Sequence, residues 1–100
     1  MSDNQTGSSE VIAGRWFISG RVQGVGFRWF VIRQAERFDI RGCTRNLADG
    51  RVEILAAGRR ADLLKFEEAV SEGPRMSRVD NVEKIDIAHE LVQDKTFSII

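Results

Sequence analysis

One hundred residues, 42% of them hydrophobic and 30% charged, describe one soluble globular domain with a modest core and no room for a second. No apolar run approaches the roughly 18 residues of a membrane span, and Cys43 and His89, each the only one of its kind, leave too few ligands for a zinc site. Fifteen basic and fifteen acidic side chains cancel, which argues against a general nucleic-acid binder.

The first ten residues, MSDNQTGSSE, are polar and carry no apolar period, which predicts a disordered N-terminal tail over 1–10 and a folded domain over 11–100. They also lack the basic-then-apolar layout of a secretory signal, and Cys43 has no partner for a disulfide; both predict a cytoplasmic protein. VIAGRWFISG (11–20) is apolar, β-branched and aromatic and ends in Gly20, so it reads as a strand. After a loop, Phe27, Phe30, Val31, Gln34, Ala35 and Phe38 recur at helical spacing, predicting an amphipathic helix that stops near Phe38–Asp39. GCTRNLADGRVEILAAG (42–58) predicts two strands about the turn Ala48-Asp49-Gly50, because Asp-Gly is a strong hairpin signal. Leu63, Phe66, Ala69 and Val70 mark a second helix from Arg60 to Glu72, ended by Gly73-Pro74. RVDNVEKIDIA (78–88) predicts a fourth strand whose alternation slips near Asn81, as at a bulge. KTFSII (95–100) is a short last strand.

The order β-α-β-β-α-β with a terminal strand predicts an α+β, ferredoxin-like sandwich, an antiparallel sheet with both helices on one face. Strand three then lies between strands one and two, which run parallel. The glycine loop after strand one and Asn46 at the end of strand two fall on the same edge of the sheet, roughly 10 Å apart.

That loop, GRVQGVGFR (20–28), holds three glycines and leads directly into the first helix. It is neither of two familiar nucleotide-binding loops. A dinucleotide turn would need a glycine where Trp29 stands, and a phosphate loop of the Walker type would need Lys-Ser/Thr where Phe27-Arg28 stands. More generally, a glycine-permissive loop at a helix N-terminus aims successive amides inward, and the helix dipole adds positive potential. Arg28, in the first helical turn, violates the usual preference for acids there but can fold its guanidinium over a bound oxyanion. A purely structural turn uses the same glycines; with Arg28 the loop fits a phosphate. The charge distribution allows it: residues 11–60 hold ten arginines against four acids, a basic half suited to a compact anion, or to a scatter of solvated arginines.

ISGRVQGVGFR (18–28) followed by GCTRNLADGRVEILAAG (42–58) resembles the acylphosphatase family. In the first block the family's fixed positions are Gly20, Val22, Gln23, Gly24, Val25, Phe27 and Arg28; in the second, Gly42, Asn46, Gly50, Val52 and Gly58 match. GPRMSRVDNVE (73–83) and the closing FSII extend the likeness over about 12–100. The chain departs from the pattern at Cys43, where an aromatic ring is usual, at Thr44, where Val or Ala is common, and at Asp39, in place of a glycine. The resemblance implies hydrolysis of the carboxyl-phosphate bond of small-molecule acyl phosphates on a ferredoxin-like fold, with no metal or cofactor. It also implies the roles. Amides of Gln23, Gly24, Val25, Gly26 and Phe27 and the Arg28 guanidinium hold the phosphoryl group, while Asn46 orients the attacking water, so that Arg28 and Asn46 are the catalytic pair.

The remaining residues have blander readings. Cys43 lacks the arginine six residues on that a cysteine phosphatase uses, and reads as a packing residue; His89 reads as surface; Trp16, Phe17 and Trp29 read as core and rim. An RNA-recognition module shares the element order, but strand three, RVEILAA, has no aromatic to stack a base. A domain that holds phosphate or carbamoyl phosphate without turnover is the alternative to an enzyme. No nucleic-acid or membrane partner is expected, and the chain is expected to be a monomer.

Overall fold

The computed structural model describes residues 10–100. The elements in chain order are β1 (Val11–Arg21), α1 (Phe27–Arg37), β2 (Arg41–Asn46), β3 (Val52–Arg59), α2 (Arg60–Glu72), β4 (Arg78–Ile87), a 3₁₀ turn (His89–Leu91) and β5 (Phe97–Ile99). The predicted tail lies outside the described residues except for Glu10, whose carbonyl accepts the Arg60 amide (2.8 Å) and whose carboxylate pairs with the Arg60 guanidinium (2.8 Å).

Sheet order is β4-β1-β3-β2-β5. β3 pairs antiparallel with both β1 and β2, and β4 pairs antiparallel with β1, so the four-strand centre is the expected one. β5 adds to the free edge of β2 in parallel, with Thr44 opposite Ile99, which makes the whole sheet mixed. The slip expected near Asn81 is a bulge: Ser19 faces Asn81 and Gly20 faces Val79, leaving Asp80 as the extra residue on β4.

Strand alternation divides the sheet's two faces. Trp16 and Ile18 of β1 and Val52, Ile54 and Ala56 of β3 turn toward the helices, where they meet Phe27, Val31 and Ala35 of α1 and Leu63, Phe66 and Val70 of α2 in one buried cluster. Each fully buried large side chain there contributes about 1.5–3 kcal/mol by leaving water. The indole of Trp16 stacks edge-on to Phe66 and donates from Nε1 to Glu67 (3.0 Å), so its one polar atom is satisfied. On the other face Ala13, Ala57 and Val92 form a smaller cluster beneath the segment that follows β4.

α1 ends in a left-handed residue, as RFDIRG suggests. Asp39 has φ 57°, the Ile40 amide reaches back to Ala35 O (2.8 Å) and the Asp39 amide to Glu36 O (3.4 Å). These are the two bonds of a Schellman cap, with buried Ile40 supplying its apolar contact. No helix among the described residues is long and apolar enough to cross a membrane.

Candidate active site

The register brings the site's two halves to one end of the sheet. Val52 on β3 faces Ile18 on β1 and Asn46 on β2, so one row of three strands links the approach to the glycine loop with Asn46. Two apolar anchors hold the loop at its ends. Val22 and Phe27 are each 1% exposed, and Val25 packs against the same core from between them. With those side chains turned inward, Phe27 can offer a ligand only its backbone.

Gly24 (φ 76°) and Gly26 (φ 78°) both lie in the left-handed region, and a Cβ added at either would meet nothing within 4 Å. Conformation rather than space therefore requires glycine at both positions. Gly26 is the N-cap of α1 and its carbonyl accepts the Phe30 amide (3.0 Å), but no side chain caps the helix and no acid stands in its first turn. The first amides of α1 thus remain open beside the positive end of the helix dipole. Arg28 is half-exposed and takes part in none of the ion pairs among the described residues. Arg28 thus brings a cation without a carboxylate partner among the described residues to the first turn of α1.

Asn46 closes β2, and its Oδ1 is buried with no hydrogen-bond partner. Buried acceptors are normally satisfied, and Gln34 Oε1, within α1, is the other buried side-chain oxygen without a partner among the described residues. Thr44, two residues back on the same side of β2, is buried, and its hydroxyl donates to Glu53 O (2.9 Å).

Gln23 differs from its neighbours in the loop. Its side-chain Nε2 donates to Leu47 O (2.8 Å) and Arg51 O (2.9 Å), across to the β2–β3 turn. Sequence reasoning placed Gln23 in the phosphate loop through its backbone; the side-chain contact depends on how closely loop and turn approach, which no local pattern encodes.

Beneath the site, on the helix-free face, Glu53 is 6% exposed and accepts Arg15 Nε and Arg45 Nε at 2.6 Å each. Burial pushes its carboxyl up, but the hydrogen bonds from Arg45 and Arg15 outweigh it and hold the group below the usual glutamate range. This triad spans β1, β3 and β2. Arg45 and Glu53 stand directly opposite across the Asp-Gly hairpin, a pairing that its register foretells. The triad lines a groove of about 420 Å³ with Cys43, Leu55 and Ile87, but its charges are already answered within the chain. The Cys43 thiol is pushed above its ordinary range by burial first, then by Asp94 and Glu53, which makes it a poor nucleophile. His89 stands half-exposed beside Glu90, Trp29 is exposed, and Phe17 lies under the guanidinium groups of Arg15 and Arg51. No group of three or more metal-ligating side chains occurs among the described residues.

Known proteins place this arrangement. The sequence model described as Acylphosphatase matches residues 14–99. The chain is 54% identical over 76 residues to an acylphosphatase from Koribacter versatilis, covering 76% of this chain and 69% of that one. It is 50% identical over 80 residues to an acylphosphatase from Bacillus velezensis, covering 80% and 88%. In three dimensions it is similar to the crystal structure of acylphosphatase from Bacillus subtilis, with a TM-score of 0.84 and 40% identity over 89% of this chain and 98% of that one. A match running from the middle of β1 to the end of β5, through both halves of the site, means that the chain belongs to the acylphosphatase family.

Proposed function

We propose that the chain hydrolyses the carboxyl-phosphate bond of acyl phosphates, with Arg28 and the glycine loop holding the phosphoryl group and Asn46 placing the water. The activity is that of its acylphosphatase relatives, hydrolases acting on acyl phosphates. The observation that supports the assignment of roles is the register Ile18–Val52–Asn46, which sets Asn46 at the same end of the sheet as an α1 N-terminus with no side-chain cap and an arginine in no ion pair among the described residues.

The reaction asks little else of the protein. Amides of Gln23, Gly24, Val25, Gly26 and Phe27 and the Arg28 fork bind the phosphoryl oxygens. The side-chain amide of Asn46 holds the water and turns its lone pair toward phosphorus. As the new P–O bond forms, the bond to the carboxyl oxygen breaks, and its electron pair leaves with the carboxylate. That leaving group is stable as an anion and needs no general acid. The water's proton passes to a phosphoryl oxygen, so the products are a carboxylate and inorganic phosphate. Asn46 serves better than an aspartate because an uncharged amide holds water without repelling a dianionic group. Every role falls to the chain's own groups, without metal or cofactor, and one chain completes the site. A monomer acting in the cytoplasm suits this reading, as does the unpaired Cys43.

The test is phosphate release from benzoyl phosphate by the purified protein, before and after chelation, with Arg28→Ala as control. Turnover that survives chelation and falls by about 10³–10⁵ in Arg28→Ala is expected, the range for a lost charge clamp. No turnover in the wild type, turnover restored only by a divalent metal, or an active Arg28→Ala overturns the proposal.

A further inference from the structure

The two halves of the site are joined by a single side chain. Gln23 belongs to the phosphate loop, yet both hydrogens of its amide nitrogen are given to the β2–β3 turn, one to Leu47 O and one to Arg51 O. Leu47 is the residue after Asn46.

The turn does not need these bonds to close. The Leu47 amide donates to Arg51 O (2.8 Å), the Gly50 amide to Leu47 O (3.1 Å) and the Arg51 amide to Asp49 Oδ1 (3.1 Å). The loop has its own anchors in Val22 and Phe27. What neither set of bonds fixes is the position of one unit relative to the other. The strand ladder fixes it only as far as the row Ile18–Val52–Asn46, short of the loop itself. Gln23 spans the remaining gap, and it takes for its acceptors the two carbonyls that already define the turn's base.

We infer that Gln23 is a positioning residue, whose side-chain amide sets the distance and angle between the phosphoryl group in the loop and the water on Asn46. The inference rests on the reading of Arg28 and Asn46 above and adds a role to it. Because attack is in line, a displacement of about 1 Å between nucleophile and electrophile is enough to lower the rate by about 10². The effect falls on the transition state. Phosphate alone, which meets only loop amides and Arg28, does not report it.

The experiment is a double-mutant cycle on the full chain with benzoyl phosphate, using Gln23→Ala and Gln23→Met, each alone and combined with Asn46→Ala. Methionine keeps the length of glutamine and removes both donors, so it separates lost hydrogen bonds from lost packing. Both single variants are expected to lower kcat by about 10–10² and to leave the dissociation constant for inorganic phosphate within about twofold, with melting temperature lowered by only a few degrees. In the Asn46→Ala background the same changes at Gln23 are expected to lower kcat by less than about twofold, because the group being positioned is gone. Full multiplication of the two losses, loss of phosphate affinity in step with kcat, or wild-type kcat in both Gln23 variants overturns the inference while leaving the roles of Arg28 and Asn46 standing. Wild-type kcat in Asn46→Ala alone overturns the roles themselves, and this inference with them.

Discussion

Glu53 is the strongest test of what holds the site's three strands together. Glu53→Gln keeps the shape of the side chain but replaces one acceptor with a donor that faces a guanidinium. Hydrogen bonds to charged groups contribute about 1.5–3 kcal/mol each, and removing one partner of a fully buried ion pair costs about 3–5 kcal/mol. Here the carboxylate side chain is 9% exposed, but Arg15 and Arg45 are 44% and 50% exposed and can turn back to water. The expected loss is therefore well below the buried limit, about 1–2 kcal/mol. For a domain of this size that is a fall in melting temperature of about 4–16 °C, read by circular dichroism at pH 7. The pH dependence has a definite sign. The fold lowers the Glu53 pKa, so its stabilisation is complete above the ordinary glutamate value of 4.5 and is lost as pH falls through the lower folded value. The gap between wild type and Glu53→Gln should stay constant from about pH 8 to pH 5.5 and narrow below about 4.5. Turnover at pH 7 should change by less than about threefold, because backbone pairing keeps Asn46 in register. Equal melting temperatures at pH 7, or a gap that does not narrow in acid, refutes the claim that the triad is charged and stabilising.

Two further outcomes can be measured with simple variants. Phosphate titration followed by NMR shifts or calorimetry should show Arg28→Ala binding poorly and Asn46→Ala binding nearly as wild type, although Asn46→Ala turnover falls by about 10²–10³; equal loss of affinity in both contradicts the division of labour. Asp39→Gly should leave the melting temperature unchanged or slightly raised, because relief of the left-handed strain is offset by a more flexible unfolded chain, whereas Asp39→Val should lose about 1–2 kcal/mol; a large fall in Asp39→Gly contradicts the Schellman cap.

The parts of this molecule that are local in sequence were legible in it. Gly73-Pro74 ends α2 at Glu72, the Asp-Gly turn centres the hairpin, and a break in alternation near Asn81 marks the bulge at Asp80. Asp39 could be placed in left-handed geometry because the apolar helical period stops at Phe38 and the next residue tolerates it. β5 was visible as an apolar segment, but three residues carry no information on whether they pair parallel or antiparallel. Asn46 gained meaning only from the pattern around it, since a lone asparagine beside a turn has many uses. The burial of its Oδ1 belongs to tertiary packing. So does the reach of Gln23 across 24 residues to Leu47, for a side-chain amide carries no sign of the carbonyl it will meet.

Several departures from local rules lie together at one end of the sheet, while Gln34 Oε1 and left-handed Asp39 are departures elsewhere, within α1 and just after it. α2 carries Asp62 in its first turn, in agreement with its dipole, and α1 ends in a regular cap. The N-terminus of α1 has neither an acid nor a side-chain cap, places Arg28 where a cation is disfavoured, and follows two left-handed glycines that are costly to order. At the same sheet edge Asn46 buries an acceptor with no partner. Each feature is a small local loss, and a sequence shaped only for stability would place an aspartate or serine before α1 and a self-satisfied residue at 46. Under the proposed roles a phosphoryl group takes the first amides of α1 and faces Arg28, and the side-chain amide of Asn46 holds the water. On that reading the donors of the loop are set in place by the fold before the substrate arrives, so they need little rearrangement in the transition state. The rest of the domain supplies the stability that lets this end of the sheet depart from local rules.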